Sequence, residues 1–147
     1  MLPFYVLVFS FVVMRVLGFI GIDGLDHWQT ALRFAFAIMF LFTASAHWGK
    51  RRPDLIRMVP PALKRPDLLV TWTGILEITG AIGLCMSVLA PFAAIGLAIL
   101  LIAMFPANVN AAKRQGSIGG RQVTPLPLRI LLQIIFVTAL LSTLSFY

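Results

Sequence analysis

Glu77 sits near the middle of LLVTWTGILEITGAIGLCM, residues 68–86, an apolar run about long enough to cross a bilayer. A carboxylate at that depth needs a partner or water, because an ionised group in hydrocarbon is expensive. Burial opposes its charge and a neighbouring arginine would favour it, so the residue types suit a group that binds a polar head or handles a proton. A purely structural polar contact between helices is the other reading, and both stay open on sequence alone. Projected at about 100° per residue, Val70, Thr73, Gly74, Gly80, Ala81 and Leu84 share the side of Glu77. Trp72, Ile75, Ile78 and Ile82 lie away from it. The small, polar side admits a close helix and the bulky side suits lipid, so Glu77 is expected to face protein.

Two polar groupings follow. The intramembrane set is Glu77 and Thr73 with Arg15 and Arg33 as candidate counter-charges. Arg15 lies about 20 Å along the first apolar segment and Glu77 about 14 Å from the same interface, a gap a long side chain could close. It either pairs with Glu77 or snorkels to the surface. Arg33, Phe36, Phe40, Thr43, Ala44 and His47 share a face of the second segment, but Arg33 and His47 are about 21 Å apart and cannot hold one small group. The second, interfacial set is therefore His47 with Asn108, which follows Pro106 near the same surface. His47 on its own reads most simply as an interfacial histidine hydrogen-bonded to a neighbouring helix.

Several chemistries are excluded. His27 and His47 flank one segment at opposite ends, so they cannot hold haem within one chain. Two histidines, one cysteine and one intramembrane carboxylate do not make a zinc or di-iron site, and no metal is expected. Cys85 is the sole cysteine, which rules out an intrachain disulfide or a CxxC motif. GSIGG at residues 116–120 lacks the strand and the Gly-Lys-Ser/Thr context of a phosphate loop. No recognisable motif assembles nucleophile, base and orienter.

The elements that must position these residues are membrane spans. The chain has 147 residues, is 60% hydrophobic and 12% charged, and has a mean hydropathy of +0.96, which leaves room for one small helical bundle in a bilayer. Five spans are expected, at about 2–22, 30–48, 67–86, 91–112 and 126–146, in a single all-α domain over residues 1–147. The first lacks a basic leader and a small-x-small cleavage site and is interrupted by Arg15, so it reads as a retained helix rather than a signal peptide. Asp23, Asp26 and His27 form a turn before the second span, with Asp26 near a helix start and His27 exposed. Pro53, Pro60, Pro61 and Pro66 forbid one helix across residues 49–67, where Leu55, Ile56, Met58 and Val59 mix with Asp54 and Arg57. That segment is either an amphipathic turn over the mouth of the bundle or a plain solvated loop. Pro106 should kink the fourth span.

The net charge of +7 comes mainly from residues 49–67 and 113–127, two loops on the side of the N-terminus in a five-span topology. The positive-inside rule then places the N-terminus in the cytoplasm and the C-terminus outside, in a bacterial inner membrane. The basic residues face anionic headgroups, and no nucleic-acid partner is inferred.

These residues also carry a resemblance. FTASAHWGKRRPDLIRMVPPALKRPDLLVTWTGILEITGAIGLCM, followed by FPANVNAA and PLPLRILLQ, resembles the DoxX-like family of small polytopic membrane proteins over about 115 residues from Arg33 onward. The matching positions are Arg33, His47, Pro53, Pro60, Gly74, Glu77, Gly80, Gly96, Pro106, Asn108 and Arg129. The resemblance implies a four-helix membrane core, to which this chain adds an N-terminal helix. Family members are similar to the membrane subunit of a thiosulfate to quinone oxidoreductase. This implies an accessory or anchoring subunit of a redox, quinone-linked complex, with a larger membrane protein partner holding the cofactors. The alternative is an autonomous protein, alone or as a homo-oligomer, that takes a quinone or other lipid into its bundle and uses Glu77. In neither case does the chain alone bind a cofactor.

Overall fold

A computed structural model describes residues 1–114, 117–118, 121–122 and 124–146. Its helices are α1 (Leu2–Phe19), α2 (Trp28–Ser45), α3 (Arg52–Met58), α4 (Pro66–Cys85), α5 (Ala90–Ala103), α6 (Phe105–Lys113) and α7 (Leu126–Ser142), the last continued by a 3-10 turn, Thr143–Phe146. Ser117–Ile118 and Arg121–Gln122 pair antiparallel as a two-residue ladder. Every other described element is helical, as the composition requires. The remainder of the basic loop expected at 113–127 lies outside the described residues.

Helix ends follow from local chemistry. Gly21 and Gly24 adopt positive φ, +104° and +90°, and turn the chain out of α1. Proline occupies the first turn of α3, α4, α5, α6 and α7, where its missing N–H costs nothing. Asp26 is adjacent to the start of α2 rather than its cap: His27 is the cap residue, and Asp26 Oδ1 accepts the His27 N–H at 3.0 Å. Pro106 divides the fourth apolar segment into α5 and α6, because it cannot donate to the carbonyl four residues earlier.

Consecutive long helices pack in sequence, α1 on α2, α2 on α4, α4 on α5 and α5 on α7, and α2 also touches α7 and its 3-10 turn. This centres the bundle on α2. Ala31, Ala35, Phe36, Ala37, Met39, Phe40 and Ala44 of α2 are buried, and the rings of Phe36 and Phe40 stack 6.2 Å apart, one turn from each other. Against α2, α4 buries Val70, Gly74, Glu77, Ala81 and Leu84, while Trp72, Ile75 and Ile82 are exposed. That division is the one the helical projection predicts.

Four stretches are long and apolar enough to cross a membrane: Leu2–Phe19, Pro66–Cys85, Ala90–Lys113 and Leu126–Ser145. They make this a helical membrane protein. The expected second span, α2, is not among the four, since Gln29, Thr30 and Arg33 dilute its first turns. Its central position buries Arg33, while Gln29 and Thr30 stay partly exposed in the first turn.

Close approach depends on glycine at α1. A Cβ on Gly18 would lie 2.3 Å from the Leu25 carbonyl oxygen, so the α1–α2 turn folds back over a bare backbone. Gly96 of α5 has no neighbour within 4 Å of the same position. Gly18→Ala should therefore cost about 1–3 kcal/mol through overpacking, whereas Gly96→Ala should be neutral or slightly stabilising. Unfolding of both variants in mixed micelles checks this, and equal effects would contradict the packing assigned to Gly18.

Candidate functional site

The packing of α2 against α4 brings together residues that sequence spacing keeps apart. His47 follows the end of α2 and Glu77 lies mid-α4; the helices run antiparallel, so the last turns of α2 meet the first half of α4. His47 Nε2 stands 3.7 Å from Glu77 Oε1, with the two residues only 4% and 3% exposed. His47 Nδ1 is 2.6 Å from the Val70 carbonyl oxygen. A carbonyl can only accept, so Nδ1 carries a proton and Nε2 is the nitrogen that faces the carboxylate. Nε2 then faces either an ionised Glu77, as a protonated or a bare nitrogen, or a protonated Glu77.

Thr43 accommodates both arrangements. Its hydroxyl lies 2.9 Å from Glu77 Oε2 and 3.0 Å from the Phe40 carbonyl oxygen. It can donate to a charged carboxylate, or accept from a protonated one while donating to Phe40. Thr73 Oγ1 sits 3.3 Å from His47 Nδ1 and gives its own proton to the carbonyl of Leu69 or Val70.

Backbone and basic residues fix this couple in place. Gly74 makes room for it: a Cβ there would come within 2.8 Å of His47 Cβ and Cγ and of the Trp48 ring. Arg52, at the start of α3, donates to the carbonyl of His47 at 2.7 Å, to that of Asp67 at 3.1 Å and to Thr71 Oγ1 at 2.8 Å. One guanidinium thus ties the end of α2 to the start of α4. The far end of α3 is held from α6, where Asn110 Nδ2 donates to the Met58 carbonyl at 2.8 Å.

The couple opens on a cavity of about 630 Å³ that reaches from α1 to α7. Its polar end carries His47, Glu77, Thr43, Arg51, Asn108 and Arg129; its walls include Met39, Phe40, Leu101, Met104, Leu132 and Phe136. Leu55 and Met58 of α3 also line it, so residues 52–58 form the amphipathic turn over the mouth rather than a plain solvated loop. On the α7 side, Arg129 donates from Nη1 to Asn108 Oδ1 at 2.6 Å and from Nε to the Thr124 carbonyl at 2.9 Å.

The two expected groupings are redrawn. Glu77 and Thr73 are joined by His47, which the sequence assigned to a separate site with Asn108, and all but Thr73 line one cavity. The distance between the ends of one helix hid this, since His47 meets Glu77 across the helix pair. Arg15 does not reach Glu77: it donates to the carbonyls of Leu25 and Asp26 and lies 4.8 Å over the Phe19 ring, at the turn before α2. It takes the snorkelling option, because those carbonyls are nearer than the carboxylate. Arg33 is buried in α2 but lies ten residues, about 15 Å, before Thr43. Neither arginine lines the cavity.

Sequence reading passed over Thr43, Arg51 and Arg52 as site residues. Arg129 and Gln133 are polar residues of the last span, and their spacing of four places them on one face, which was the available signal. Among the described residues no group of three His, Cys, Asp or Glu side chains could hold a metal ion.

Fold and site together define a helical membrane protein with a polar-ended internal cavity. By sequence the chain belongs to the family described as a domain of unknown function (DUF8561), which matches residues 36–143 and so contains α3 to α7 and the second half of α2. No curated protein and no solved structure matches the chain.

Because Gly74 is the floor on which His47 rests, Gly74→Ala should displace the imidazole and lengthen its bond to Val70. Nitrogen NMR of the labelled histidine would show a changed Nδ1 resonance. A spectrum identical to that of the parent protein would contradict the contact.

Proposed function

We propose that the protein binds a lipid-like molecule in its cavity, with the polar head among His47, Glu77, Arg129 and Gln133 and the hydrocarbon part along the apolar walls. The observation that carries this reading is the cavity itself. Its polar lining includes the buried His47 and Glu77 with Asn108, Arg129 and Gln133, and its apolar lining includes Met39, Phe40, Leu101, Met104 and Phe136. Such a division of polar and apolar lining suits an amphiphile, since a few placed polar groups orient a ligand that apolar walls retain. A quinone is one candidate class, on the strength of the resemblance to DoxX-like proteins. In this reading the couple exchanges a proton with the head, the step for which the two arrangements of Glu77, His47 and Thr43 are suited.

The wider setting is part of the same proposal. With α2 counted as a fifth span, the N-terminus, α3 and the start of α7 share one side of a bacterial inner membrane. The basic residues of 49–67 make that side cytoplasmic. The cavity then opens toward the cytoplasmic leaflet. The role of anchoring subunit in a redox complex rests on the resemblance, whereas the cavity belongs to this chain, and the binding reading therefore takes precedence.

Native mass spectrometry of the protein released gently from its own membrane tests this. The expected result is one retained amphiphile per chain, lost when Ala46→Phe fills the cavity and reduced about tenfold by Glu77→Gln. A bare chain, or an adduct indifferent to both substitutions, would overturn the reading. A stoichiometric protein partner whose retention ignores both changes would support the subunit role instead.

A further inference from the structure

The cavity carries an unbalanced charge. Among the described residues, the ionisable side chains that line it are His47, Glu77, Arg51 and Arg129. His47 and Glu77 together carry no net charge, or one negative charge where an ionised Glu77 faces a neutral imidazole. Against two guanidiniums this leaves the lining with a net positive charge in either case. Neither forms an ion pair among the described residues, and the partners of Arg129 are a carbonyl and a carboxamide oxygen, both neutral. Arg51 is exposed, but Arg129 is half-buried, and a guanidinium partly withdrawn from water without an anion is costly, which favours an anion that enters from outside the chain.

The donors are also left over in the right place. The bonds of Arg129 use Nε and Nη1, leaving Nη2. One turn along α7, Gln133 lines the same cavity, and its Nε2 is buried with no hydrogen-bond partner. A buried donor without an acceptor costs about 1–3 kcal/mol. Two unused N–H donors on one face of α7, beside a positive charge, match the oxygens of an oxyanion. A neutral acceptor such as a ketone would satisfy the amide but leave the charge.

We infer that the molecule bound here is an anionic single-chain amphiphile, its phosphate or carboxylate head seated on Arg129 and Gln133 with Arg51 at the mouth, and its chain against Phe40 and Phe136. This rests on the reading of the cavity as an amphiphile site and narrows it to a charge class. Asn108 is a positioning residue in this arrangement: its carboxamide oxygen aims the guanidinium without neutralising it.

Matched dodecyl probes separate the terms. Dodecyl phosphate, dodecanoate and dodecanol are titrated against the full chain in a neutral detergent, and occupancy is read by native mass spectrometry. The inference expects at least one of the two anions to bind about tenfold or more tightly than the alcohol, and the phosphate and carboxylate arms show which head is preferred. Arg129→Gln should abolish that preference while leaving dodecanol within about twofold, and Arg129→Lys should restore part of it. If dodecanol binds as well as either anion, the charge inference fails and the amphiphile reading survives. If none of the three binds, both fail. The comparison among probes on the unsubstituted protein decides the matter even if Arg129→Gln does not fold.

Discussion

A carboxylate inside an apolar helix bundle must be partnered, and much of this structure follows from how Glu77 meets that demand. The helices that carry it and His47 pack tightly enough to exclude solvent from both, which requires glycine at position 74. Keeping His47 there requires its backbone to be anchored, a task that falls to Arg52. Arg52 in turn places α3, whose Leu55 and Met58 face the cavity that the couple opens on. A single electrostatic constraint thus runs from mid-α4 to the mouth of the bundle.

The cavity itself is a consequence of broken regularity. An uninterrupted fourth helix would carry Asn108 and Asn110 onward in the register of α5. The break before Pro106 re-aims that segment, so that Asn108 meets Arg129 on α7 and Asn110 reaches the backbone of α3. Polar groups gather at one end, where helices start, stop and turn. The other ends of the helices bury alanine, leucine and phenylalanine. Met39 and Phe40 belong both to the hydrophobic core and to the cavity wall, whereas a change such as Gly18→Ala acts on the fold at a residue that does not line the cavity.

Periodicity made the faces of α4 legible, because a helix repeats at a known angle and a small-residue stripe against a branched one has few meanings. It could not say which helix covers the stripe. His47 and Glu77 are thirty residues apart in sequence, and their meeting depends on the antiparallel register of α2 and α4, which no single helix encodes. The same gap explains Arg15: distance from an interface can be estimated along one helix, but the carbonyls of the following turn compete for the guanidinium and lie closer. The central place of α2 was hidden for a related reason. Its apolar face reads as a span, and its polar early turns become intelligible only when it is seen at the centre of the bundle.

Whether Glu77 and His47 act as one unit is the claim on which the rest stands, and a double-mutant cycle tests it directly. Unfolding free energies in mixed micelles would be measured for Glu77→Gln, His47→Gln and the double variant. Each single change strands a buried partner, so the account predicts that the double variant costs less than the sum, by a coupling of about 0.5–3 kcal/mol. Additivity to within about 0.3–0.5 kcal/mol would contradict it.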